Sequence, residues 1–182
     1  MAWQRLARQE YLFEKAGGGP LHAGDVEVQF CARRPDVKAG ATLIVALELI
    51  DAAVETIRRL ILEQKVLPSD ILVLYRSHHW HRDRLAEKLK SVLGSRAALR
   101  FVDAASHSAQ NQPLIEEGTL TLSTIASAKG YDAPIVFLLG VDELESDDQG
   151  RASFYAGATR AKLHLYVSGT KRSAAGLLEE VL

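Results

Sequence analysis

Lys129 and Gly130 in Ser127-Ala128-Lys129-Gly130, and Thr159 and Arg160 in Ala158-Thr159-Arg160-Ala161-Lys162, are residue types suited to holding a phosphate. A guanidinium presents a planar fork that matches two phosphoryl oxygens at once. Glycine lets backbone N–H groups come close to a ligand. The two segments alternate with apolar β-like runs at Leu120–Ile125, Ile135–Leu139 and Leu163–Ser168. Loops at the ends of buried strands are where an open α/β sheet offers groups to a phosphate-bearing ligand. The residues alone leave two readings open: a phosphate site, or two exposed cations beside a turn-forming glycine.

Other chemistries fit the chain less well. A P-loop requires GxxxxGK[ST], whose amides wrap the phosphates while the lysine meets the terminal ones. The dipeptide Gly-Lys occurs nowhere in the sequence, so the chain has no P-loop. Ile135–Leu139 followed by Asp142 and Glu143 resembles a Mg²⁺-binding strand end, but without a P-loop we read residues 142–148 as a solvated acidic turn. His78, His79 and His81 have neither the spacing nor the Cys or carboxylate partners of a closed zinc site, and no metal site is assigned. No Gly-x-Ser-x-Gly elbow marks a Ser-His-Asp nucleophile.

At 182 residues the chain is expected to form one domain with a sizeable core. Its 47% hydrophobic and 25% charged residues are ordinary for a globular protein. A net charge of −1 gives no global field to hold nucleic acid, so any such grip must be local or shared. The single cysteine, Cys31, fits a reducing compartment and reads as a small buried hydrophobe. The first residues contain no apolar signal core, and no apolar run approaches the ~20 residues that span a bilayer. We expect a cytoplasmic location and no membrane contact.

The elements that must position the candidates follow from periodicity. A short helix is expected within residues 1–16, then a flexible Gly-rich joint at 16–20, dividing the chain into 1–24 and a domain of 25–182. Val26, Val28 and Phe30 alternate with polar residues as in a half-exposed edge strand. Leu43, Leu47, Ile50, Val54, Ile57 and Ile61 step by three and four, which predicts a helix over about 43–65. Ile71–Tyr75 is a continuous apolar strand of the buried parallel type. A helix is expected at 82–93, a short strand at 99–102 and a polar loop at 104–113. A helix at 153–162 and a terminal helix over 172–182 complete the set. Strand–helix alternation predicts an α/β fold with a mainly parallel sheet covered by helices.

At the candidate residues the sequence resembles the C-terminal motor domain of UvrD/Rep-like superfamily I helicases. Thr124-Ile125-Ala126-Ser127-Ala128-Lys129-Gly130-Tyr131-Asp132, followed by an apolar strand, is similar to the family's motif V, T-[IL]-H-x-[AS]-K-G-L-E. Tyr155-Ala156-Gly157-Ala158-Thr159-Arg160-Ala161 is similar to motif VI, Y-V-[AG]-x-T-R-A, and Ile71–Ser77 is a weaker third match. The resemblance implies a RecA-like three-layer fold, the second of two domains between which ATP binds. ATP and Mg²⁺ would then be held mainly by an N-terminal RecA-like partner domain carrying the P-loop. It implies that Arg160 reaches the γ-phosphate as the catalytic residue, that Asp132 stands where a glutamate meets the ribose, and that Gly130 keeps the backbone close to the nucleotide. Arg76, Thr124 and Lys129 would hold single-stranded DNA.

Several positions depart from the family pattern. Ala126 replaces a DNA-contacting histidine, His78 replaces a polar amide, and residues 76–124 leave no room for a large inserted subdomain. A family tyrosine that stacks on adenine is either absent from the sequence or is Tyr75. The expectation is half of an ATP-dependent DNA helicase motor, inactive in ATP hydrolysis by itself. The rival is a RecA-like module that kept its fold and serves only for docking, which Ala126 and Asp132 favour slightly.

Overall fold

Ile71–Tyr75 (β3) is apolar at every position, and all five residues are buried. Successive side chains of a strand point to opposite faces, so such a strand needs a packed layer on each side. Ile71, Val73 and Tyr75 enter one core and Leu72 and Leu74 the other. The computed structural model describes residues 4–5, 27–33, 42–76, 82–103, 116–141 and 144–170. Among them the strands form one sheet with β3 near its middle.

In chain order the strands are β1 (Gln4–Arg5), β2 (Glu27–Arg33), β3, β4 (Ala98–Val102), β5 (Thr119–Thr124), β6 (Ala133–Leu139) and β7 (Ala161–Thr170). Their order across the sheet is β1-β2-β7-β6-β3-β5-β4. Every pairing is parallel except that of β1 with β2. The helices are α1 (Thr42–Leu62), α2 (Arg82–Leu93) and α3 (Asp148–Ala158). Each links two of the parallel strands, as a parallel sheet requires.

The two faces are covered differently. On α1, Ile50, Val54, Ile57 and Ile61 form the buried stripe and meet Leu85 and Leu89 of α2 together with Val73, Leu122 and Phe137 of the sheet. Each such aliphatic side chain contributes about 1.5–3 kcal/mol when removed from water. The rings of Phe137 and Tyr166 stack on this face with centroids 4.4 Å apart. Lys88 of α2 pairs with Asp51 of α1 across the helix contact. On the opposite face Phe154 and Ala158 of α3 pack on Leu72, Val136, Leu138 and Leu165. The result is the expected helix–sheet–helix sandwich.

Local chemistry sets the ends of the helices. Arg82–Leu93 forms as expected and stops at Gly94, whose φ of 55° is left-handed. α1 ends at Leu62, earlier than the 65 expected, because the chain turns through Lys65 at φ 61° with its ammonium on the Leu62 carbonyl. α3 starts at 148, not 153. Asp147 is its N-cap, its carboxylate accepting the Gly150 N–H at 2.7 Å. Part of the expected acidic turn is therefore a helix cap; Asp142 and Glu143 lie outside the described residues.

Two further expectations are corrected. Gln4 and Arg5 lie in a strand rather than a helix, paired antiparallel to Phe30 and Gln29. For that reason β2 is not an edge strand: β1 covers one side and β7 pairs in parallel along the other. The joint at 16–20, His78, His79 and His81, the loop at 104–113 and the tail at 172–182 lie outside the described residues.

Gly150 shows how closely α3 is fitted. A Cβ there would sit 1.8 Å from the Glu145 carbonyl oxygen. In a free helix, alanine in place of glycine gains about 1 kcal/mol. Here Gly150→Ala is expected to lower the unfolding free energy by about 2 kcal/mol, since backbone must move to admit the methyl. Denaturant titration checks this, and a stabilised variant would refute the packing.

Candidate functional site

Parallel strands give the sheet two chemically distinct edges, and the register assigns each candidate residue to one of them. Arg76 follows β3 and Thr124 ends β5; Tyr75 and Thr124 are register partners, so both lie at the carboxyl edge. Asp132 immediately precedes β6 and Arg160 immediately precedes β7, and Ala133 pairs with Ala161. These two therefore meet at the amino edge. The Ala133 N–H donates to the Arg160 carbonyl at 2.9 Å.

Arg160 is held there by three side-chain contacts. Nη1 donates to Asp132 Oδ1 at 2.9 Å, Nε to the Ala156 carbonyl at 3.0 Å and Nη2 to Thr159 Oγ1 at 3.2 Å. The Thr159 hydroxyl in turn donates to the Tyr155 carbonyl at 2.9 Å. The last carbonyls of a helix carry partial negative charge, which favours a cation at this position. The Arg160 side chain is 23% exposed and that of Asp132 44%. The guanidinium is thus oriented by the protein yet open to solvent on part of its surface.

Residues 125–132 join the edges as a strap from the carboxyl end of β5 to the amino end of β6. The Thr124 hydroxyl donates to Ser127 Oγ at 2.9 Å and accepts the Ser127 N–H at 3.2 Å. The Ala128 N–H bonds the Thr124 carbonyl, and the Tyr131 N–H the Ala128 carbonyl. Ile125 and Ala128 anchor the strap in the α3-side core. Thr124 is buried; at the surface of the strap are half-buried Ser127 and exposed Ala126 and residues 129–132. Ser127 carries the turn, a role the sequence reading did not assign; its signal was a hydroxyl three residues after Thr124.

Gly130 has a left-handed backbone, φ 89°, and a Cβ on it would meet no protein atom within 4 Å. That conformation favours glycine by itself and leaves the space beside the backbone open.

Tyr75 is fully buried on the α1–α2 face. Burial, the largest influence, pushes its hydroxyl up to about 12, with Arg82 acting in the opposite direction. It cannot stack on a base from there, which removes it as the adenine-binding tyrosine. Arg76 next to it is exposed. Arg82 is a structural cation, paired with Asp103 at 3.1 Å and lying 5.5 Å over the Phe101 ring.

The fit to a nucleotide is partial. Arg160 suits a phosphate, but the sequence has no P-loop to cradle one. Among the described residues no group of three or more His, Cys, Asp and Glu is arranged to hold a metal ion. No described helix is long and apolar enough to cross a membrane.

Residues 119–168, running from β5 through the strap and α3 into β7, match the family model described as UvrD-like helicase C-terminal domain. Among solved structures, domain 2 of the DEAD-box helicase Mss116p, bound to an RNA duplex, aligns with 75% of this chain and 55% of its own, at 15% identity and TM-score 0.58. The C-terminal part of the Fun30 ATPase domain aligns with 73% of this chain and 44% of its own, at 16% identity and TM-score 0.50. The chain thus spans about half the length of these structures. At such identities the likeness is one of fold. No curated protein sequence matches the chain. The segment that carries the strap and Arg160 is thus similar to UvrD-like helicase C-terminal domains, and the fold is the RecA-like one of a helicase second domain.

Proposed function

We propose that the chain is the second motor domain of an ATP-dependent superfamily I DNA helicase, completing with Arg160 an ATP site whose phosphate cradle and Mg²⁺ ligands lie on a separate N-terminal domain. The observation that carries this is the oriented, partly open guanidinium at the amino edge of a sheet that lacks any P-loop. ATP supplies the cleavable phosphoryl group. Arg160 supplies a fixed positive charge where negative charge spreads in the transition state.

The surroundings support a partner at the same edge. Leu67, Tyr131 and Leu163 are the large hydrophobics exposed among the described residues. They lie beside the amino ends of β3, β6 and β7 respectively. Exposed apolar side chains along the same edge as Arg160 are suited to burial against a second domain. At the opposite edge Arg76, and along the strap Lys129 and the Thr124–Ser127 turn, are proposed to hold a single-stranded backbone. Ala126 contributes no polar contact, and the net charge of −1 keeps the grip of this domain alone weak. The RNA duplex on the Mss116p domain supports nucleic acid as the ligand class. A cytoplasmic location is proposed, the single cysteine being in keeping with a reducing compartment.

The Asp132–Arg160 ion pair favours a second reading, a non-catalytic docking module in which Arg160 is only structural. Turnover distinguishes them. In the helicase containing this domain, Arg160→Ala is expected to lower the rate of ATP hydrolysis by ~10³-fold or more. A variant with near wild-type turnover and only reduced thermal stability would remove Arg160 from the hydrolytic site and favour the docking module instead. The purified 182-residue chain is expected to hydrolyse no ATP, and measurable turnover from it would contradict the division of the site.

A further inference from the structure

The pairing of Asp132 with Arg160 has a consequence for any anion that approaches the amino edge. The chain's own carboxylate already occupies one face of the guanidinium, Oδ1 lying 2.9 Å from Nη1. An arginine side chain has five N–H donors. Three are engaged here, by Asp132, Ala156 and Thr159. The contacts of Nε and Nη2 come from the end of α3 and from the neighbouring Thr159, so they orient Arg160 without adding a formal charge. Asp132 is different: it cancels the positive charge, and it would stand within a few ångströms of any phosphate bound to the same guanidinium.

Such a pair is easily exchanged. Asp132 is 44% exposed, and ion pairs open to solvent are typically worth less than ~1 kcal/mol. The strap on which it sits is anchored by buried Ile125 and Ala128, while residues 129–132 are exposed. Aspartate is one methylene shorter than glutamate. Its carboxylate here is used for the arginine and not for a more distant group.

We propose that Asp132 is an intrachain competitor for Arg160: it holds the guanidinium charge-neutralised until a polyphosphate displaces the carboxylate, so that this edge binds phosphate weakly by itself. This rests on reading Arg160 as a phosphate ligand. The ordering contacts from α3 remain in place as the carboxylate leaves, so the guanidinium exchanges one anion for another without losing its orientation. Asp132 acts through Arg160 and is a positioning residue.

The test uses the isolated chain and inorganic tripolyphosphate, with binding measured by calorimetry at low ionic strength and again at high salt. Asp132→Asn keeps the side-chain shape and removes the charge. It is expected to bind tripolyphosphate about three- to tenfold more tightly than the natural chain, with the gain shrinking as salt is added. Asp132→Glu, which restores the carboxylate, should show little of the gain, and Asp132→Asn combined with Arg160→Ala none. Binding by Asp132→Asn no tighter than that of the natural chain, or not detectable, overturns the proposal. So does a gain that persists without Arg160 or equals that of Asp132→Glu. Failure here together with the expected loss of turnover in Arg160→Ala would leave the motor reading standing. Success here with Arg160→Ala fully active would remove the motor reading and leave the competition intact.

Discussion

The first rung of the β6–β7 ladder determines where the candidate chemistry lies. The Ala133 N–H bonds the Arg160 carbonyl and Ala133 pairs with Ala161; after a one-residue register shift the two strands run parallel from Ile135 and His164 through Leu138 and Val167. Asp132 and Arg160 each come one residue before their strand begins. Once the strands are in register their side chains are brought to the same edge. A slip of one residue would invert every side chain of a strand between the two cores. Because both faces of β6 are packed, the burial that stabilises the fold fixes its register on β7 from Ile135 to Leu138. The irregularity between Ala133 and Ile135 then sets the rung beside which the guanidinium lies.

The two cores also explain why a short strap can join opposite edges of the sheet. On one side α1 and α2 pack against β3, β5 and β6; on the other α3 leaves room for Ile125 and Ala128 to be buried beside it. Gly157 belongs to this arrangement. A Cβ on it would lie 2.8 Å from the Leu138 side chain and 3.6 Å from that of Ile125. The small residue lets α3 approach both the sheet and the strap. The end of α3, where Thr159 and Arg160 begin the turn into β7, is thereby held against the segment that carries Asp132.

Much of this was legible in the sequence, for reasons that differ by element. The helix at 82–93 was anticipated because Leu85, Leu89 and Val92 mark one apolar side of it. β3 was evident because only a strand buried on both faces is apolar at five consecutive positions. The start of α3 was missed because it is set by an aspartate cap rather than by apolar spacing. The expected edge strand was misplaced because alternation reports which faces are wet, while the pairing with β1 depends on a contact with distant residues. In the candidate site, the resemblance singled out Arg160 and Asp132 separately. Their ion pair spans 28 residues of sequence and exists only because two strands begin side by side. The burial of Tyr75 followed the same logic, since whether a strand-end aromatic faces a core or a cleft depends on what packs against it.

The central claim is that Arg160 leaves Asp132 to contact a transferring phosphoryl group bound mainly by another domain. It is tested most directly by following the guanidinium itself. In the proposed two-domain enzyme, nitrogen-15 labelling with Arg160→Lys as the assignment control identifies the Arg160 Nε resonance. ADP with aluminium fluoride then stands in for the transferring phosphoryl group. The account predicts that this resonance shifts on saturation and that its dependence on Asp132 is lost. A resonance that is unchanged at saturation, still responding to Asp132→Asn as in the free protein, would contradict it.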